Sequence, residues 1–186
     1  MKTTATTMNE QEHTPADADD EPDSPVFILQ QPDRFEAELI IHDRHWLDLV
    51  GDDQRAAMTA AISASLKAAA CPWAEMSILL ADDARLAHLN ETHRGKPGPT
   101  NVLSFPDDDD DGPIGDIAIA YETVIAEAQD QGKAAADHLL HLVVHGVLHL
   151  LGHDHHDDDE AETMEQLEIS ILAGLGITNP YQEAVG

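Results

Sequence analysis

The segment 134–151 constrains this chain most, because it has a helical pattern that is apolar on nearly every side. A helix of this kind must be buried against neighbours all round. Its polar exceptions are His138, His141, His145 and His149, which are separated by three, four and four residues. At about 100° per residue, the four side chains fall within roughly 80° of one another. The sequence therefore predicts a buried central helix that carries one stripe of imidazoles.

The end of this stripe has the spacing of a metal site. His145 and His149 lie one helical turn apart, and Gly152 and His155 follow at three-residue steps. Histidines at i and i+4 present ring nitrogens to one point about 2.0–2.1 Å away. Gly152 can adopt the positive φ that ends the helix and turns the chain back, which brings in His155 as a third ligand. Three protein ligands leave a fourth position open, which is typical of catalytic zinc.

Other histidines compete for the third position. His153 and His156 flank His155. We favour His155 over His153 because His153 directly follows Gly152, whereas two further residues make the chain long enough to turn back towards the helix. His138 and His141 are expected to support or pack against the ligands rather than bind the metal. Scattered histidines in a His-rich chain are the alternative, and the glycine-hinged stripe argues against it.

Composition limits the metal chemistry further. The single cysteine excludes an intramolecular disulfide and a cysteine-based zinc cluster. Three imidazoles also suit nickel, copper or iron, so the spacing favours zinc without fixing it.

Charge and hydropathy exclude several classes of protein. The chain has 37 acidic against 9 basic residues, a formal charge of −28, which disfavours a basic nucleic-acid clamp or a binder of anionic membranes. Residues 1–33 are acidic and largely polar, and they predict a disordered tail before a single domain at 34–186. No apolar run approaches the ~20 residues of a membrane span, and the N-terminus lacks the apolar core of a secretory signal, so a cytoplasmic protein is expected.

Periodicity divides the rest of the chain into alternating elements. Strands are predicted over 36–42, 74–80, 101–105 and 115–120, and the last two flank the acidic run 107–111 as a hairpin. Helices are predicted over 55–70, 82–92, 121–131, 133–151 and 158–175.

The histidine motif differs from that of zinc peptidases at one position. Those enzymes carry a glutamate directly after the first ligand as the general base, and here that position is Gly146. A zinc peptidase is therefore the second enzyme hypothesis. A phosphodiester substrate fits better if a cation stabilises the transition state. The candidate cation is Arg94, in a Gly- and Pro-rich loop that also carries Lys96.

Three segments together resemble one family. They are N-x-x-x-R-G-x-x-x-x-T-N-V-L-S-F-P at 90–106, G-D-I at 115–117 and H-G-V-L-H-L-L-G-H-D-H at 145–155. These segments resemble the YbeY endoribonucleases, the rRNA maturation factors of bacteria, and the likeness covers about residues 36–182. The sequence departs from the family at His153, where a tyrosine is usual, and at Asn101, where many relatives have aspartate.

The resemblance implies a fold and an activity. It implies an α+β domain with a small mixed β-sheet packed with helices, and one zinc ion on His145, His149 and His155. It also implies that Arg94 is the family's functional arginine. The implied role is a zinc-dependent, single-strand-specific endoribonuclease in small-subunit (16S) rRNA 3′-end maturation and ribosome quality control. RNA (rRNA) and the ribosome, ribosomal proteins and assembly factors are the implied partners, with no DNA and no membrane.

Two further points stay open at this level. Asp116, Glu165 and Glu168 are possible partners of the ligands, although each also suits a turn, a cap or a surface acid. A non-catalytic ribosome assembly factor, stabilised by its zinc, is the third hypothesis.

The charge also limits where RNA can bind. Outside its acidic segments the chain still has no net positive charge, so RNA contacts should be local, at the metal, Arg94 and Lys96. Lys67 and Arg85 are further candidates.

Overall fold

A five-stranded mixed sheet organises the molecule. The computed structural model of the chain describes residues 24–107, 112–153 and 158–182. Within those ranges the strands are β1 (Val26–Gln31), β2 (Phe35–Ile41), β3 (Ala74–Ala81), β4 (Val102–Pro106) and β5 (Gly115–Ala120). The α-helices are α1 (Asp52–Ala68), α2 (Asp83–Arg94), α3 (Tyr121–Asp130), α4 (Ala135–Leu150) and α5 (Asp158–Gly174), and a short 3-10 helix covers Arg44–Asp48.

The strand order is β1-β2-β3-β5-β4. The pairs β2/β3 and β3/β5 are parallel, whereas β1/β2 and β4/β5 are antiparallel. The predicted hairpin of the last two strands is therefore confirmed, and so is the α+β class with a small mixed sheet. Four of its acidic tip residues, 108–111, lie outside the described residues.

The predicted central helix is α4. It contacts α1, α3, α5, β4 and β5, and its apolar residues from Leu139 to Leu150 are buried. The prediction that this helix is enclosed by its neighbours is confirmed. A helix with so many contacts holds its side chains in fixed positions relative to the sheet edge.

The prediction of a disordered tail over residues 1–33 is wrong for its last part. Val26–Gln31 form β1, which pairs in register with β2, and Leu29 is buried in the core. The mean composition of the segment is acidic and polar, but the segment contains a short apolar run from Val26 to Leu29. This run forms a ladder of backbone hydrogen bonds along the free edge of β2. The domain therefore includes β1 and begins before residue 34. Residues 1–23 lie outside the described residues.

In the described ranges, no helix combines the length and the apolar character needed to cross a membrane.

Candidate functional site

Helix α4 brings two of the predicted metal ligands together. The Nε2 atoms of His145 and His149 lie 3.0 Å apart, one turn from each other on the partly exposed side of the helix. Two ligand nitrogens of a tetrahedral ion are separated by roughly 3.3 Å when each lies about 2.0–2.1 Å from the metal. The pair is therefore arranged so that one small ion could contact both nitrogens.

A buried carboxylate fixes the orientation of the first of these rings. Nδ1 of His145 lies 2.6 Å from Oε1 of Glu168, whose side chain is fully buried on α5. Because an ionised carboxylate only accepts hydrogen bonds, Nδ1 carries the proton. In the neutral ring Nε2 then keeps its lone pair, which is the tautomer that a metal ligand needs.

Glu168 accepts hydrogen bonds from three side chains. They come from His145, from Nε2 of His141 at 3.2 Å, and from the hydroxyl of Tyr181. Burial alone would raise the pKa of the Glu168 carboxyl group, but these donors outweigh burial and lower its pKa to about 2. Burial and the adjacent carboxylate raise the pKa of Tyr181, so its hydroxyl remains a donor. A buried negative charge at this position favours a cation bound nearby.

The other two histidines of the stripe are engaged differently. Nε2 of His138 donates to Oε2 of Glu127 at 2.7 Å, and Nε2 of His141 donates to Glu168. Their Nδ1 atoms are buried, and among the described residues they have no hydrogen-bond partner. Burial lowers the pKa of His138, which keeps that ring neutral. These rings therefore serve the hydrogen-bond network around the ligand pair, in line with the supporting role expected for them.

The turn after α4 has the predicted geometry. Gly152 adopts a φ of +85°, and the next amide, that of His153, bonds back to the carbonyl of Leu148 at 3.0 Å. This closing turn sends the chain back towards the histidine stripe, where His153 lines the cavity beside the ligand pair. His155 and its rival His156 lie outside the described residues.

Arg94 faces the same cavity from the other side. It is the last residue of α2, and Gly95 ends that helix with a φ of +64°. Its Nη2 donates to the carbonyl of Ser104 on β4 at 3.2 Å. One bond of five possible N–H donors anchors the guanidinium and leaves others for an anion. The cavity, of about 650 Å³, is lined by Arg94, Lys96, Ser104, His145 and His149.

The site's geometry coincides with a match to known proteins. A family model described as Endoribonuclease YbeY matches residues 41–176, a range that includes Arg94 and the whole histidine motif. The chain belongs to the YbeY family.

Individual YbeY relatives match over most of their own length. A protein named Endoribonuclease YbeY from Paramagnetospirillum magneticum is 58% identical over 118 residues, which cover 59% of this chain and 72% of that protein. One of the same name from Azorhizobium caulinodans is 50% identical over 153 residues, covering 79% and 96%. Another, from a Jannaschia species, is 44% identical over 163 residues, covering 79% and 100%.

Gly146 occupies a position in this YbeY domain that a side chain cannot readily take. A Cβ at this residue would lie 2.9 Å from Cδ1 and 3.0 Å from Cγ2 of Ile117 on β5. Its carbonyl accepts a bond from the Ser104 hydroxyl at 3.4 Å. The residue after the first histidine thus points into the sheet, where a glutamate could not serve as a base for the cavity.

Of the acids considered from the sequence, the structure brings only Glu168 to the described ligands. Asp116 bonds the hydroxyl of Ser77 on an exposed part of the sheet, and Glu165 is exposed on α5. Lys67 and Arg85 do not line the cavity of the YbeY site.

Two members of the network were missed. Glu127 and Tyr181 come from α3 and from the segment after α5, and no spacing links either of them to the histidine stripe. The sequence signal for Tyr181 is its position within residues 36–182, over which the chain resembles the family.

Proposed function

We propose that this chain is a zinc-dependent endoribonuclease that cleaves single-stranded RNA. The observation that carries the proposal is that paired imidazole nitrogens and a guanidinium line one cavity. An imidazole pair suits a borderline metal such as zinc, and a guanidinium suits phosphate oxygens. The names of the relatives, all endoribonucleases, support the same substrate class.

In this proposal His145, His149 and His155 hold the ion. When bound, zinc would supply Lewis acidity towards a phosphoryl oxygen. Glu168 holds the ring of His145 in the tautomer and direction that binding requires. Arg94 binds the phosphate through its remaining N–H groups and neutralises charge that develops on it during cleavage.

The charge of the chain shapes how RNA reaches the site. With a formal charge of −28, the chain attracts RNA only locally, at Arg94 and Lys96 beside the ligand pair. Weak non-specific affinity suits an enzyme whose substrate is delivered by a larger particle. We therefore propose small-subunit (16S) rRNA 3′-end maturation and ribosome quality control in the cytoplasm as its role, with ribosomal proteins and assembly factors as partners.

A peptidase role has less support. The contact between Gly146 and Ile117 leaves no space for the glutamate base that such enzymes place after their first ligand. The remaining alternative is an assembly factor that binds without turnover.

One assay separates the three functions. The purified full chain is incubated with labelled single-stranded RNA or with casein, before and after zinc is removed by a chelator and restored. The proposal expects RNA fragments that disappear on chelation and return with zinc, and intact casein. RNA bound but never cut by the zinc-loaded chain would favour the assembly factor, and cut casein would favour the peptidase.

A further inference from the structure

A second cavity adjoins the first on the far side of His145. It has a volume of about 850 Å³ and is lined mainly by α3, the first half of α4 and the segment after α5. Asn101, Val102 and His145 line both cavities. The two cavities, together called the cleft, therefore meet at these three residues, and of the ligand pair only His145 lines both of them. An RNA strand cut at the ligand pair can extend from the first cavity into the second.

The two sides of the cleft differ in charge. The first cavity carries Arg94 and Lys96, whereas the second carries Glu127 and Asp130. The one lysine on the second side, Lys133, donates to the side chain of Gln131 at 2.7 Å and to a backbone carbonyl of the C-terminal segment. Phosphate groups are therefore favoured in the first cavity, and an uncharged group with hydrogen-bond donors is favoured in the second.

Tyr181 supplies a fixed aromatic surface in the second cavity. Its hydroxyl bonds the fully buried Glu168, and its ring packs edge-on against His141 with centroids 5.5 Å apart at 81°. The residue is nevertheless 45% exposed. The hydroxyl is held at a buried carboxylate and Tyr181 lines the second cavity, so its ring is fixed in place at the cavity wall.

Glu127 supplies an acceptor on the same side. Asn101 donates to both of its carboxylate oxygens, at 3.2 and 2.9 Å, and His138 donates to Oε2 at 2.7 Å. A carboxylate offers about four acceptor positions, so these three contacts leave capacity on Oε1. The side chain of Glu127 is 31% exposed, which makes that capacity available to a ligand.

We propose that the second cavity binds one unstacked nucleobase of the RNA strand, next to the phosphate that is cut, with the base stacked on Tyr181 and its N–H groups facing Glu127. Unpaired bases are commonly bound by stacking on aromatic rings and by hydrogen bonds to their edges. The inference rests on the proposed function, because it assigns a position to the substrate of the same site.

The first test uses the unaltered chain. A set of single-stranded RNAs carries one abasic nucleotide, moved stepwise across the mapped cleavage position. The proposal expects KM to rise about 5- to 100-fold at one neighbouring position, since one stacking contact is lost there. An equal KM at every position overturns it.

The second test compares Tyr181→Phe with Tyr181→Leu. Both variants lose the hydroxyl contact with Glu168, so effects of that contact on kcat are common to both, and only Leu loses the aromatic ring. The proposal expects a KM near that of the unaltered chain for Phe and a rise of about fivefold or more for Leu. In the Leu variant, an abasic nucleotide at the sensitive position should raise KM no further.

The outcomes separate this inference from the function beneath it. If the intact RNA is not cut at all, the proposed function fails and the inference fails with it. If the RNA is cut but KM is equal at every abasic position, or equal in the Phe and Leu variants, the function stands and the nucleobase site is refuted.

Discussion

Nδ1 of His145 lies 2.6 Å from Oε1 of Glu168, so a carboxylate buried on α5 determines which nitrogen of a histidine on α4 faces the cleft. The contact spans two helices and 23 residues of sequence. It makes the packing of α5 against α4 a condition for the geometry of the ligand pair. Variants on α5 should therefore alter metal binding without touching a ligand.

Glu168→Gln should weaken zinc binding by about 10- to 100-fold. The amide keeps the size of the side chain but replaces one acceptor oxygen by a donor, so His145 and His141 can no longer both donate to it. Zinc affinity is measured by competition with a coloured chelator. Glu162→Gln is the matched control, since Glu162 is exposed on the same helix nearly two turns earlier. Equal affinities of the two variants would show that Glu168 does not position the ligand.

Replacing one ligand should remove the metal. His149→Ala takes away one of the two nitrogens that lie 3.0 Å apart, and a site reduced to two imidazoles binds zinc weakly. We expect metal analysis to fall from about one zinc per chain to near zero, with RNA cleavage lost in parallel. His88→Ala, on the exposed face of α2, should change neither quantity. Cleavage that persists in the metal-free His149 variant would contradict the proposed function.

Arg94→Ala should lower kcat for RNA by about 100- to 1000-fold, the usual effect of losing a donor to a transition-state oxyanion. Within the described residues its guanidinium makes one hydrogen bond, to the carbonyl of Ser104, and the residue is exposed, so zinc content and Tm should change little. The contrast between kcat and zinc content distinguishes phosphate binding from a structural role. Arg44→Ala is the control, because Arg44 is exposed in the 3-10 helix and lines a different cavity. A kcat unchanged in the Arg94 variant would assign charge neutralisation to another group.

Gly146→Ala should destabilise the fold by about 1–3 kcal/mol, because a methyl group must enter a packed contact. The new Cβ would lie 2.9 Å from Cδ1 of Ile117. The gain in helix propensity, about 1 kcal/mol for Ala over Gly, offsets part of this cost. Urea unfolding measures the free energy, and adding Ile117→Val, which removes Cδ1, should recover part of the loss. If the Ala variant is more stable than the unaltered chain, helix α4 has room to move away from β5.

The sequence predicts the helices and turns of this fold better than the side-chain contacts between them. The histidine stripe and the turn at Gly152 follow from helical period and backbone freedom, which are local properties, and both lie where expected. Glu168 could be named only as one of several acids, because its contact with His145 depends on how two helices pack. Tyr181 reaches the same carboxylate from beyond α5, and no local rule predicts such a contact.

Composition also led to one wrong prediction, that of a disordered tail reaching residue 33. Averaged over residues 1–33, the acidic and polar residues hide Phe27 and Leu29, which pair and pack only because β2 offers a free edge. A β-strand that depends on a partner from another part of the chain carries a weak local signal.

The corrected boundary changes how the acidic N-terminal segment should be tested. Residues 1–23 contain seven acids and one lysine, a formal charge of −6, so their removal should strengthen RNA binding at low salt by about twofold or more. The measurement is the Kd of a labelled single-stranded RNA at low ionic strength and at about 1 M salt, where screening should abolish the difference. A chain of full length whose seven acids are changed to Asn or Gln separates charge from length.

The longer deletion tests a different property. Removal of residues 1–33 should lower Tm, because it deletes β1 and the buried side chain of Leu29. A Kd unaffected by the shorter deletion at low salt would mean that the acidic segment does not oppose RNA, and the negative charge around the domain itself would then set the weak affinity.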